Sequence, residues 1–90
     1  MKETINEEDI LNIGIIELKI PIKVNIIKND DYIASIENLN LYSYGTDESK
    51  VISELKDDLL ELYLDLFYEQ NKLSKPALKL KNQLKYHISG

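Results

Sequence analysis

Residues 16–26 alternate strictly between apolar and polar side chains. A period of two is the spacing of a β-strand that has one face on a core and the other in water, so we predict a long strand here. Pro21 has no backbone N–H to donate, which predicts an edge or a bulge at that point. The apolar positions are Ile16, Leu18, Ile20, Ile22, Val24 and Ile26.

Two shorter strands are predicted to follow this one. The polar residues 28–31 favour a turn, because aspartate and asparagine hydrogen-bond to nearby backbone. Apolar positions recur over residues 32–37 and again over residues 39–44. We therefore expect a three-stranded antiparallel meander over residues 15–44.

Beyond Gly45 the apolar residues recur at the spacing of a helix. Thr46 or Asp47 can cap a main helix over residues 47–70. Ser74 and Pro76 favour the start of a second helix over residues 75–88. The fold class expected for residues 1–90 is α+β, in one domain. The main helix should lie across the strand face that bears Leu18, Ile20, Ile22 and Val24.

Residues 1–14 form an N-terminal arm ahead of the meander. Asn6, the three acids at 7–9 and Gly14 have the order of a helix cap, an acidic first turn and a terminator. We therefore expect a short helix around residues 6–13.

Composition narrows the classes of function. The chain has 90 residues, a net charge of −5 and no cysteine, and all 16 acids lie in residues 1–71 beside six lysines. The last 19 residues hold five lysines and no acid, and there is no arginine anywhere. An acidic body without arginine disfavours direct binding to nucleic acid. The acidic start and the lack of a long apolar run favour a cytoplasmic protein that does not enter a membrane.

Candidate catalytic groups are few. His87 is the only histidine, and its place in the last turn of a terminal helix suggests a solvated side chain. Without cysteine or a second histidine, neither a zinc site nor a nucleophilic triad is expected. We expect no catalytic residues, no cofactor, no metal and no enzymatic activity.

Carboxylates and tyrosines are the candidate partner-binding groups. Five acids share one side of the main helix, and we call them the acidic row: Glu54, Asp57, Asp58, Glu61 and Asp65. The row fits either a solvated helix face or a docking surface for a basic partner. Tyr42 and Tyr44 share one face of the third strand and suit an interface, since tyrosine contributes contact area at a low entropic cost.

Four leucines exceed what three short strands can cover. They predict self-association into a dimer or a tetramer, because apolar side chains left outside a core tend to be buried against another copy. These oligomer-interface residues are Leu60, Leu64, Leu80 and Leu84.

The stretch from about residue 20 to 65 resembles the HicB-like antitoxin family. The matching residues are Pro21–Val24, Asp31–Ile36, Leu39–Tyr44 with Gly45, and Val51–Ile52 with Leu55–Lys56. In that family a glycine-aspartate-threonine turn precedes the helix, and an alanine usually stands at the position of Val51. Here Thr46 and Asp47 exchange that order.

The resemblance implies a partial RNase H-like sheet and a function. Members of this family bind and inhibit a small basic RNase toxin of the HicA type, and they typically lack the nuclease's metal-binding carboxylates. Glu17 is the one acid in the first predicted strand, which agrees with that lack. A self-associating adaptor with the same fold and another protein partner is the alternative.

Overall fold

A computed structural model describes residues 3–68 and 72–90, with an antiparallel sheet on one side and two helices on the other. The fold class is α+β, as predicted. The sheet has four strands rather than three, in the order β1, β2, β3, β4. The strands are β1 (Glu3–Ile13), β2 (Ile16–Asn29), β3 (Asp31–Ile36) and β4 (Leu41–Gly45). A 3-10 helix (Glu37–Leu39) joins β3 to β4, and α1 (Glu48–Phe67) and α2 (Lys75–Ser89) follow.

Strand β2 confirms the period-two prediction. Its even-numbered side chains from Leu18 to Ile26 are buried except for Ile20, which is half-buried, whereas Lys19 and Lys23 are exposed. The pairing with β1 is interrupted at Pro21. Ile22 pairs with Ile10 and Glu17 pairs with Asn12, so four residues of β2 lie opposite the single residue Leu11. The missing donor of proline therefore falls in a gap of the ladder.

The helix expected at residues 6–13 is wrong, because the structure forms β1 there. Ile10 and Ile13 are both buried although they are three residues apart, a spacing typical of a helix face. The register break between Ile10 and Asn12 explains this spacing, since a bulge shifts the alternation and returns both isoleucines to the same face. Residues 1 and 2 of the arm lie outside the described residues.

Both helices begin at the predicted caps. The Asp47 carboxylate accepts from the Lys50 amide at 3.3 Å, and the Ser74 hydroxyl accepts from the Ala77 amide at 3.3 Å. The main helix was expected to reach residue 70; it is described to Phe67, and residues 69–71 lie outside the described residues.

The two helices divide the inner face of the sheet. The main helix was expected to lie across the face of β2 that bears Leu18 to Val24, and this placement is wrong: the backbone of α1 runs closest to β4 and β3 and reaches β1, while α2 runs closest to β2. Leu60 of α1 packs on the β1–β2 turn, where a Cβ on Gly14 would lie 3.5 Å from its Cδ1 atom. Gly14 itself has φ +58°, which favours glycine. Neither α1 nor α2 is long and apolar enough to cross a membrane.

His87 is buried, which corrects the prediction of a solvated side chain. Its exposed fraction is 7%, because α2 turns this side chain toward β2. Its Nδ1 atom lies 3.0 Å from the backbone oxygen of Ile20, and its Nε2 atom lies 3.2 Å from the side-chain nitrogen of Asn38. A carbonyl only accepts, so Nδ1 carries the proton and Nε2 accepts from the amide. His87 is therefore a structural residue that joins three elements.

Candidate functional site

Tyr42 and Tyr44 stand on the face of the sheet that points away from the helices. Their exposed fractions are 67% and 70%, while Ser43 between them is buried on the helix side. Strand β4 is at the edge of the sheet, so both rings lie beside open backbone. The structure thus confirms that the two tyrosines share one face of β4 and shows that this face is exposed.

An apolar row continues from Tyr44 across the outer face. Tyr44 pairs with Ile33 of β3, and Ile33 pairs with Ile27 of β2. Both isoleucines are half-buried, and neither described helix lies on this face. Neither isoleucine was among the partner-binding residues predicted from the sequence. Their positions could have been predicted, because successive residues of a strand point to opposite faces and these odd-numbered residues lie opposite to Ile26 and Ala34.

The acidic row begins at β4. Ser43 donates from its hydroxyl to the Glu54 carboxylate at 3.0 Å, which holds Glu54 beside the edge strand. Asp58, Glu61 and Asp65 follow on the same side of α1, about one, two and three turns further on. All members of the acidic row are exposed. Asp57, the remaining member, lies next to Asp58 on this flank.

The negative charges of the acidic row are close together. Acids four residues apart on a helix repel one another, and three such pairs occur between Glu54 and Asp65. Within the described residues, the salt bridge found joins Lys23 to Glu7 at 3.7 Å, away from α1. The flank of α1 next to β4 therefore carries a negative potential that favours cations and basic side chains.

A cleft at the junction of β4 and α1 brings the two predicted groups together. Its volume is about 330 Å³. Gly45 allows α1 to start this close to the strand, since a Cβ there would lie 3.2 Å from a methyl group of Val51. The lining residues are Tyr44, Gly45, Thr46, Asp47, Lys50, Val51 and Glu54. Tyr44 and Glu54, which the sequence placed in separate groups, thus line one site.

The four predicted oligomer-interface leucines have different environments. Leu84 is fully buried in the core of the single chain, so the prediction that it lies at an oligomer interface is wrong. Leu60 and Leu80 are half-buried against that core. Leu64 remains 45% exposed. The prediction failed because α2 packs directly on the sheet, so that its apolar stripe is buried within the single chain.

Three aromatic rings cluster where α1 ends. Tyr63 stacks on Phe67 with 5.0 Å between ring centroids and meets Tyr68 edge-on at 5.6 Å. The Tyr63 hydroxyl donates to the Tyr68 hydroxyl at 3.5 Å. This bond, with smaller effects of desolvation and of the nearby Tyr68 charge, raises the pKa of Tyr63 above its ordinary value of 10.0. Lys81 of α2 covers the Phe67 ring at 5.1 Å.

A second cleft, of about 270 Å³, lies between the 3-10 helix and α2. Leu80 and Pro76 form its apolar wall, and Glu37 and Lys79 are its charged residues. Across the part of the chain that the structure describes, no three histidine, aspartate or glutamate side chains converge to hold a metal ion. The cleft thus offers contact area without a set of metal ligands.

Comparisons with protein-family models, with curated proteins and with solved structures found no match to this chain.

Proposed function

We propose that this chain is a non-catalytic cytoplasmic protein that binds a basic protein partner at the β4 edge. The observation that carries the proposal is the shared cleft, which Tyr44 and Glu54 both line. Tyr44 belongs to the exposed aromatic surface, and Glu54 begins the acidic row. The two surfaces are therefore close enough for one partner to contact both.

The acidic row and the tyrosines of β4 should contribute to binding in different ways because of their chemistry. Charges at the rim of an interface raise the association rate and its sensitivity to salt more than they add affinity. Aromatic side chains supply affinity when a partner removes them from water. Tyr42 and Tyr44 are the candidates for that second role because they are the exposed rings of β4.

The specific form of the proposal is a HicB-like antitoxin that inhibits a small basic RNase toxin of the HicA type. It is supported by the residues in 20–65 that resemble the family and by the order β2, β3, β4, α1, which is the order that the resemblance implies. A nuclease's RNA-binding surface is basic because it meets phosphates. The acidic row would occupy that surface by imitating the phosphate charges.

Self-association is the second candidate function, as an adaptor that forms a dimer or a tetramer. The observation that favours it is the exposed apolar surface near the end of α1, where Leu64 and Tyr68 are 45% and 67% exposed. A second copy would bury both side chains. In this case the chain would act through its assembly with other proteins.

The decisive experiment measures RNase inhibition. The chain is used as bait in a lysate of its own host, a captured basic protein is purified, and its cleavage of RNA is measured with increasing amounts of the chain. We expect stoichiometric inhibition that is weakened by Tyr42→Ala/Tyr44→Ala and unchanged by Tyr86→Ala, a matched control that also removes an exposed ring. A captured partner whose RNA cleavage is absent or unaffected would contradict the antitoxin proposal and favour the adaptor.

A further inference from the structure

The two edge strands of the sheet differ in how they are protected. An edge strand presents unpaired N–H and C=O groups that can pair with another chain, and proteins usually block such edges with charges, proline or bulges. Strand β1 has these devices: Glu7, Glu8 and Asp9 are consecutive acids, and its register breaks twice. Pairing at this edge is therefore disfavoured.

Strand β4 has none of them. Leu41–Gly45 contains no charged residue and no proline, and its register with β3 is continuous. Two of its five residues are tyrosine, which favours a pleated surface. The backbone along this edge is consequently open to a fifth strand.

The charges beside β4 select the kind of strand that fits. Successive side chains of an added strand would point alternately toward α1 and toward the outer face of the sheet. Those on the α1 side would approach Glu54, which Ser43 holds at the edge. The acidic row continues from Glu54 to Asp58, one turn further along α1. Those on the outer side would approach Tyr42 and Tyr44. A second copy paired edge to edge would bring two acidic rows together, which is unfavourable.

We infer that the β4 edge binds an extended segment of a basic partner protein as a fifth strand of the sheet. The segment has lysine or arginine at alternate positions facing the acidic row and aliphatic residues between them facing the tyrosines. Its length matches β4, about five residues or roughly 17 Å. This inference rests on the proposed function and specifies how the partner is held.

The test uses a synthetic peptide of about eight residues that alternates lysine and valine, with both ends blocked. The isotope-labelled chain is titrated with it, and amide hydrogen exchange is followed by NMR. We expect slower exchange of outward-facing amides in residues 41–45, because the ladder protects them. Two control peptides, one alternating glutamate and valine and one with every amide of the lysine peptide N-methylated, should bind at least roughly tenfold more weakly.

Matched variants separate edge pairing from general charge attraction. Tyr42→Lys/Tyr44→Lys should weaken binding of the lysine peptide by roughly tenfold, whereas Leu78→Lys/Tyr86→Lys, which adds the same two charges at exposed positions of α2, should leave it unchanged. Strand addition is overturned if the lysine peptide does not bind, if the N-methylated peptide binds equally well, or if residues 41–45 stay unprotected at saturation. Capture of a basic protein without protection of residues 41–45 would overturn strand addition and keep the proposed function.

Discussion

His87 Nδ1 donates to the backbone oxygen of Ile20 at 3.0 Å, across 67 positions of sequence. Ile20 lies in the part of β2 that extends beyond β3, because β3 pairs only with Asn25–Asn29. An unpaired carbonyl in a partly buried strand costs free energy unless a donor reaches it. A side chain of α2 thus supplies the hydrogen bond that a neighbouring strand would otherwise provide.

Removing this hydrogen bond should destabilise the fold. His87→Phe keeps a ring of similar size but leaves Ile20 without its donor, so we expect the free energy of unfolding to fall by about 1–3 kcal/mol. Tyr86→Phe is the control, since it removes a polar group from the neighbouring exposed ring. Urea unfolding followed by circular dichroism measures both. Equal stability of His87→Phe and the parent would show that the bond is dispensable.

The corrected position of Leu84 gives a second prediction. Leu84→Ala should lower the free energy of unfolding by about 2–5 kcal/mol, because it leaves a cavity in the core. Leu64→Ala should change it by only about 0.5 kcal/mol, because that side chain is 45% exposed. Denaturant titration of the two matched variants checks the difference. Similar losses for both would mean that Leu84 contributes no more than a surface leucine.

A substitution at Leu64 also tests whether copies of the chain associate. If the end of α1 is the contact between copies, Leu64→Glu should convert an oligomer into a monomer, because a buried carboxylate at the contact would be unpaired. Light scattering at high micromolar concentration measures the mass of the parent and the variant, and Glu17→Gln is a surface control. A parent that is already monomeric would rule out the adaptor form that depends on self-association.

The acidic row predicts salt-dependent association with a basic partner. Asp57→Lys/Asp58→Lys should slow association by roughly tenfold or more at low salt, because electrostatic steering is reversed. The difference should shrink at about 0.15 M salt, where the screening length is about 8 Å. Glu17→Lys/Glu37→Lys makes the same change in net charge away from α1. Stopped-flow kinetics with equal rates for the parent and the first variant would identify the acidic row as a solvated helix face.

The hydrogen bond between Tyr63 and Tyr68 predicts that the pKa of Tyr63 depends on the Tyr68 hydroxyl. Tyr68→Phe removes the acceptor of the Tyr63 hydroxyl, so the raised pKa of Tyr63 should move back toward 10.0. Because the pKa of Tyr63 is higher in the folded state than in the unfolded state, its protonated hydroxyl stabilises the fold fully below pH 10. This contribution is lost as the pH rises through the folded-state pKa. NMR titration of the Tyr63 ring carbon measures the shift. An unchanged midpoint in Tyr68→Phe would exclude the hydrogen bond as its cause.

Local sequence determined the elements whose pattern repeats over many residues. Strand β2 formed as its alternation predicted, and α1 and α2 began at Asp47 and Ser74, since a cap depends on side chains a few residues apart. The placement of Tyr42 and Tyr44 on one face of β4 followed from the same period of two. In each case, the interactions that decide the structure lie within the segment itself.

Tertiary structure decided what depends on distant partners. The acidic segment at 7–9 became part of a strand because β2 offered an edge to pair with, and a bulge gave Ile10 and Ile13 a helix-like spacing. Leu84 and His87 became buried because α2 packs beside β2, which no periodicity within α2 encodes. The placement of Tyr44 and Glu54 along one cleft likewise required α1 to fold back over β4. Segment patterns show which face of an element is apolar, and only packing decides which surface that face meets.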